Sequence, residues 1–519
     1  MLSMPRHVNK VVDMKGIITA AQAAAFVKDA SCLAIQGSGG GVGEPSSLIK
    51  ALGERFRREG SPRAITVVHS TGIGDKKEIG LDYLAIEGLV KRDVAGHLGM
   101  APKMGKLIQE NKVEAYNFPQ GVLAHMFRAV AARTPGVITK VGLDTYIDPR
   151  IEGGKMNEVT TEDLVKVIEL EGEEWLFWPR FKFDVCFIRG TTADTRGNIS
   201  SEEEGAFLEG ISIAQAGRAC GAVVIAQVKY LAEAKSLDPH LVRIPGICVD
   251  YVVVDPEQKQ TCLDIYNPSY CGHIKVPMQS IPPIPLDERK VVARRAAREI
   301  FKGAVVNLGV GQPSGVAAVA AEEGFIDDFT LTVEQGAVGG TPVGGVTFGM
   351  AYNPEAIVAM DAQFAFYDSG GLDVAFLGMA ETDREGNVNS SKVGGMLAGC
   401  GGFINITQNA KKVVFCGTFT AKDFACQVGE GKLTIQSEGK MRKFVDKVNQ
   451  ITFSAKYAKR SGQPVLYITE RAVFCLKEDG LHLTEIAPGL DVEKDVLAHM
   501  DFRPIVDPGL KTMDPALFS

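Results

Sequence analysis

One pattern of segments occurs in both halves of this chain, and that repeat limits the folds open to it. Asp184-Val185-Cys186-Phe187-Ile188 leads to Asp194-Thr195-Arg196-Gly197-Asn198-Ile199-Ser200. At the same spacing, Asp373-Val374-Ala375-Phe376-Leu377 leads to Asp383-Arg384-Glu385-Gly386-Asn387-Val388-Asn389. Each copy reads as a buried strand, a connecting segment and a D-x-x-G-N turn. Chance can produce a D-x-x-G-N pair, but it is a poor account of the preceding D-V-x-F-[I/L] strand at equal distance. A second pair of segments agrees. Cys32 to Gln36 is an apolar strand, followed by the glycine-rich run Gly37 to Pro45 and an amphipathic helix from about Ser46. Ala304 to Leu308 is likewise a strand, followed by Gly309-Val310-Gly311-Gln312-Pro313-Ser314 and a helical run of alanines and valines. Both halves thus begin strand, glycine loop, helix.

Between them Pro277, Pro282, Pro283 and Pro285 mark an extended linker. At 519 residues the chain is too long for one ordinary core. The expectation is α/β: two similar open α/β domains with mainly parallel sheets, spanning 1–275 and 286–519 and joined by a Pro-rich linker at 276–285. Val165 to Leu170 and Trp175 to Trp178 flank Gly172 as a local hairpin, and Glu202 to Ala219 reads as helical.

Composition excludes several function classes. A net charge of −7 without a basic cluster argues against a nucleic-acid surface. No run approaches the length needed to cross a bilayer, and Met1 to Gly16 has no apolar secretory core. Ten cysteines without C-x-x-C pairs read as reduced, mostly buried thiols of a cytoplasmic protein. The eight histidines, His97 and His125 among them, show no zinc spacing, so no metal is expected and these side chains read as structural.

Glu334 is the most informative single residue. It stands in Thr332-Val333-Glu334-Gln335-Gly336-Ala337-Val338-Gly339-Gly340, where the short strand Phe329 to Val333 runs out into a glycine turn. Ligands of open α/β sheets collect outside the carboxyl ends of strands. Gly336, Gly339 and Gly340 would leave space beside the carboxylate. Taken alone, E-x-G-x-x-G reads as an acidic residue opening a loop; the rest of the chain turns the reading toward catalysis.

The two glycine loops invite a nucleotide, since helix N-termini bind phosphate. Neither is an intact G-x-G-x-x-G: Ser314 and Val42 stand at the third glycine, and no P-loop is present. Tight turns for close packing compete as an explanation. Gly399-Cys400-Gly401-Gly402-Phe403 is a third glycine cluster, with its glycines read as backbone room and Cys400 as no nucleophile. Gln120, in Tyr116-Asn117-Phe118-Pro119-Gln120-Gly121, either donates to an oxyanion or satisfies its turn.

Together these segments resemble the class I CoA-transferases, nearest the single-chain acetate and propionate CoA-transferases. The likeness runs along nearly the whole chain. It includes Gly96-His97, Glu114 to Leu123, Asp148-Pro149-Arg150, Ile244-Pro245-Gly246, Val306 to Gly311, Gly399 to Gln408, Tyr467 to Phe474 and Glu485 to Gly489. The resemblance implies that Glu334 is the nucleophile. It also implies that CoA lies against the loop Gly309, Val310, Gly311, Gln312 and against Gly399, Gly401, Gly402 and Phe403. Gln120 joins Glu334 as a catalytic candidate. The implied reaction exchanges CoA between a short-chain acyl-CoA and a carboxylic acid (acetate, propionate, butyrate or lactate) through a glutamyl-CoA thioester. Coenzyme A is then substrate, with no tightly bound cofactor, and the implied assembly is a homo-oligomer, a tetramer. Two departures stand out. Gln363 to Gly371 reads Q-F-A-F-Y-D-S-G-G where members often carry Q-F-D-F-Y-x-G-G-G, and Lys422-Asp423 replaces two small residues. The alternatives are an acyl-CoA thioesterase on the same fold and a non-catalytic CoA- or metabolite-binding module. The matching place in the first half has no glutamate, so one active site per chain is expected.

Overall fold

The computed structural model describes residues 16–277 and 284–519. Of the expected linker, 278–283 lie outside the described residues, as does most of the N-terminal segment read for a secretory signal.

The repeat is realised as two sheets with the same central strand order. In the first half the order is Tyr251–Val254, Val223–Val228, Val185–Arg189, Cys32–Ile35, Ile65–His69, each neighbour parallel. In the second it is Val465–Ile468, Val413–Cys416, Val374–Gly378, Val305–Leu308, Thr330–Thr332, again all parallel. These are near-continuous apolar runs; Val185–Arg189 and Val413–Cys416 are buried throughout. Strands covered on both faces by helices require that.

The D-x-x-G-N turns are superposable in their bonding. Asp194 Oδ1 accepts from the amides of Arg196 at 2.9 Å and Asn198 at 3.0 Å, and Oδ2 from Asn198 Nδ2 at 2.9 Å. Asp383 Oδ1 accepts from the amides of Glu385 at 3.1 Å and Asn387 at 3.0 Å, and Oδ2 from Asn387 Nδ2 at 3.0 Å. Gly197 and Gly386 sit at φ 82° and 94°, a conformation that favours glycine. The leading aspartates match too. Asp184 and Asp373 each accept at 2.8 Å from the first amide of the neighbouring strand, Cys32 and Val305.

Outside this common core the halves diverge. The first continues with the parallel strands Val90–Ala95 and Glu114–Asn117. The second has antiparallel pairs at both sides of its core, Thr330–Thr332 with Ala337–Val338 and Val465–Ile468 with Ala472–Lys477. The hairpin about Gly172 is present as Lys166–Leu170 and Glu173–Pro179. The expected helix from Glu202 to Ala219 is shorter, Gly210–Cys220. Its first half is a turn segment because Glu203 and Glu204 are drawn to Lys229 and Arg189, and Leu208 takes φ 50°.

The helix Gln120–Ala131 packs on Gly210–Cys220 of its own half and on Met360–Asp368 of the other. One hydrophobic core therefore runs through both halves, and a second fills the outer part of the second half around Glu288–Ala297 and Gly315–Glu322. No helix among the described residues is long and apolar enough to cross a membrane.

Candidate active site

The carboxyl ends of strands from both sheets converge on one cavity of about 310 Å³. Ser38, Thr71 and His97, from loops, and Gln120, at the start of its helix, reach it after successive strands of the first half. Asn307, Gly309, Val310, Glu334, Gln335 and Gly378 reach it from the second half, with the loop Gly399 to Phe403. Thr71 follows Ile65–His69 at the distance by which Glu334 follows Thr330–Thr332, so only one half supplies a carboxylate at this place.

Glu334 is 9% exposed. Its turn is closed by the amide of Gly336 donating to Val333 O at 2.9 Å. Burial pushes the carboxyl up to about 7, against hydrogen bonds from its own backbone amide, Gln335 and Asn307. Asn307 is itself held by Nδ2 donating to Thr332 O at 3.1 Å, and Tyr367 donates its hydroxyl to Thr332 Oγ1 at 2.9 Å. A carboxyl poised near neutrality in a cleft is a functional-site signature.

The glycines beside Glu334 do a different job from the one read in the sequence. None of Gly336, Gly339 and Gly340 lines the cavity. Gly336, at φ 122°, abuts backbone: a Cβ there would lie 2.0 Å from Val358 O. Gly340 presses equally on Tyr352 O. The open space beside the carboxylate comes from Gly309, Gly345 and the loop Gly399 to Gly402.

That loop belongs to the second half but is held by the first. The Gly401 amide donates to Gly96 O at 2.8 Å, and the Gln120 amide donates back to Gly401 O at 2.9 Å. Asn117, fully buried, accepts the Cys400 amide at 2.8 Å and donates to Ala95 O and Gly96 O at 2.9 and 2.7 Å. Gly399, at φ 83°, is required here: a Cβ would fall 2.4 Å from Asn117 Nδ2. Burial pushes the Cys400 thiol up to about 12, which leaves no thiolate for chemistry.

The cavity thus brings together Glu334, Gln120, Gly309, Val310, Gly399, Gly401, Gly402 and Phe403. Gly311 and Gln312 lie outside its lining, because the chain turns away at Gly311 into the short turn Gln312–Ser314. His125 sits on the helix Gln120–Ala131, 3.5 Å from Asp368, also outside. The departures at Ala365 and at Lys422-Asp423 are solvent-exposed and do not line the cavity. Lys422 and Asp423 occupy φ 60° and 65°, where glycine is at home. Sequence reasoning missed Asn117, Asn307 and the place of His97. Asn307 had a signal, a polar side chain inside the apolar strand Val305–Leu308. Among the described residues no cluster of three or more His, Cys, Asp or Glu suits a metal ion.

The raised carboxyl predicts a pH-dependent stability. A folded pKa of about 7 lies above the unfolded value, so the stabilisation is complete below about 4.5 and is lost as pH rises through 7. Glu334→Gln should therefore gain on wild type as pH rises, by up to about 3 kcal/mol. Thermal denaturation at pH 5 and pH 8 checks this. An equal difference in melting temperature at both values would remove the buried charge from the account.

The chain has twin α/β sheets with Glu334 buried in a cavity between their strand ends, and it belongs to the coenzyme A transferase family, whose profile matches residues 17–255. It is a CoA-transferase. It is 47% identical to the caffeate CoA-transferase of Acetobacterium woodii over 98% of both chains. It is 46% identical to the acetate CoA-transferase YdiF of Escherichia coli O157:H7, over 97% of this chain and 95% of that one. The crystal structure of acyl-CoA transferase YdiF from E. coli O157:H7, a thioester complex with CoA, superposes with a TM-score of 0.93 at 45% identity, covering 98% of this chain and 96% of that one.

Proposed function

We propose that this protein exchanges CoA between a short-chain acyl-CoA and a carboxylic acid of the acetate, propionate, butyrate and lactate class, through a glutamyl-CoA thioester on Glu334. The observation that carries the reading is a single buried carboxyl in a cavity walled by strand ends of both halves. Ionised Glu334 attacks the acyl-CoA carbonyl, and the C–S bond breaks to give a mixed anhydride and CoA thiolate. The thiolate attacks the glutamyl carbonyl, the anhydride C–O bond breaks, and the first acid leaves as its carboxylate. The incoming carboxylate reverses both steps. One thioester is consumed and one formed, so the exchange needs no ATP.

Gln120 and the Gly402 amide, whose neighbours in the Gly399 to Phe403 loop are bonded within the protein, are the donors that hold the oxyanions, and Gly309, Val310, Gly311 and Gln312 contact CoA in this reading. Burial serves the reaction twice. It lifts the carboxylate's energy toward that of a nucleophile, and it keeps water from the anhydride. Contacts to the nucleotide end of CoA supply binding energy used at the reacting carbon.

Peptide mass spectrometry after incubation with acetyl-CoA and no acceptor tests the proposal. A CoA adduct on the peptide carrying Glu334 is the expected result. Steady release of free CoA without an adduct would replace this reading with a thioesterase.

A further inference from the structure

His97 follows the strand Val90–Ala95 as Glu334 follows its own strand, and it lines the same cavity from the opposite half. Its ring is fixed at one edge. The Gly99 amide donates to Nδ1 at 3.1 Å, so Nδ1 is the acceptor nitrogen and the proton of a neutral ring lies on Nε2. Gly72 and Gly99 crowd that edge: Cβ atoms on them would lie 2.9 Å from Nδ1 and 3.0 Å from Cε1. Burial, with Lys76 and His69 nearby, pulls the imidazole down to about 4, so the neutral form persists across the working range.

The other edge is open. Among the described residues no protein group hydrogen-bonds Nε2. A Cβ on Gly401 would stand 3.9 Å from His97 Cδ2 and 3.7 Å from Gln120 Oε1. The bare Gly401, the imidazole edge and the Gln120 amide therefore border one gap in the cavity. A donor aimed into such a gap is free to meet an acceptor on the ligand. From binding of the acyl-CoA to departure of the acid, the transferred group offers such an acceptor in its acyl oxygen, as thioester, tetrahedral oxyanion, anhydride or carboxylate.

We propose that His97 contacts the transferred acyl group, donating its Nε2–H to the acyl oxygen while Gly99 holds the ring through Nδ1. The proposal rests on the exchange reading above. It gives His97 a chemical part, where the sequence had suggested only a structural one.

Two substitutions separate the two edges of the ring. His97→Asn keeps an acceptor for the Gly99 amide where Nδ1 stands and loses the distal donor. His97→Gln keeps a donor at the reach of Nε2. With acetyl-CoA and a carboxylate acceptor, His97→Asn should lose about 10²-fold in kcat/KM for the acceptor, in line with removal of one oxyanion-type donor. His97→Gln should stay within about tenfold of wild type. Wild-type rates in His97→Asn, or equal losses in both variants, would overturn the proposal. If His97→Asn does not fold, ¹⁵N-histidine spectra of the wild-type protein serve instead, with the signal assigned through His97→Gln. Saturating acetate should shift the Nε2 resonance, and an unmoved resonance would overturn the proposal as well. Failure of the exchange reading is separable, because wild type would then show neither exchange nor adduct.

Discussion

Replacing Glu334 by glutamine is expected to abolish CoA exchange, with a loss of about 10⁴-fold or more, since removal of a covalent nucleophile leaves only binding and oxyanion stabilisation. The side chains are nearly isosteric, and the amide suits the hydrogen bonds from Gln335 and Asn307 that now oppose burial. The fold should therefore survive, and acyl-CoA should still bind. In wild type, kcat/KM for acyl-CoA should fall tenfold per pH unit below about 7, because the protonated carboxyl cannot attack. Stopped exchange with unchanged acyl-CoA binding, measured by calorimetry, is the expected pair of results. Exchange at wild-type rate would remove Glu334 from the mechanism.

Asn117→Leu should have the largest effect on the framework. One buried side chain ties the strand end at Ala95 and Gly96 to the Cys400 amide and accepts the Tyr146 hydroxyl. Leucine fills similar space and pairs with none of them. Each group left buried without a partner costs about 1–3 kcal/mol, and partial relaxation brings the expected total to about 3–5 kcal/mol. The Gly399 to Phe403 loop would lose one of its anchors to the first half. A shift of about 1 Å at a reacting site can cost about 10²-fold, so kcat should fall as well. Denaturant unfolding and steady-state kinetics report the two effects separately. A variant with wild-type midpoint and kcat would show that Asn117 is dispensable.

These two residues differ in how far the sequence exposes them. Glu334 was legible because a charge at the end of an apolar strand breaks a local pattern. Asn117 was quoted within a motif, yet nothing local says that its amide meets a loop 283 positions away. Gly399 shows the same divide. Its backbone room was expected, whereas its physical cause, close approach of Asn117, comes from the other half. Gly336 shows the opposite error, a glycine beside Glu334 that makes way for the Val358 backbone rather than lining the cavity.

What the sequence determined by itself is the twofold α/β plan and the carboxylate at its strand end. Both follow from short-range rules. Alternation of apolar strands with helices sets the layers, and an aspartate bonding amides two and four residues on sets the repeated turn. Tertiary structure alone decided which loops share a cavity, which glycines open it, and how His97 is aimed. It also decided the state of Glu334. The carboxyl is lifted to about 7 by desolvation, and desolvation depends on atoms that only the folded halves bring around it.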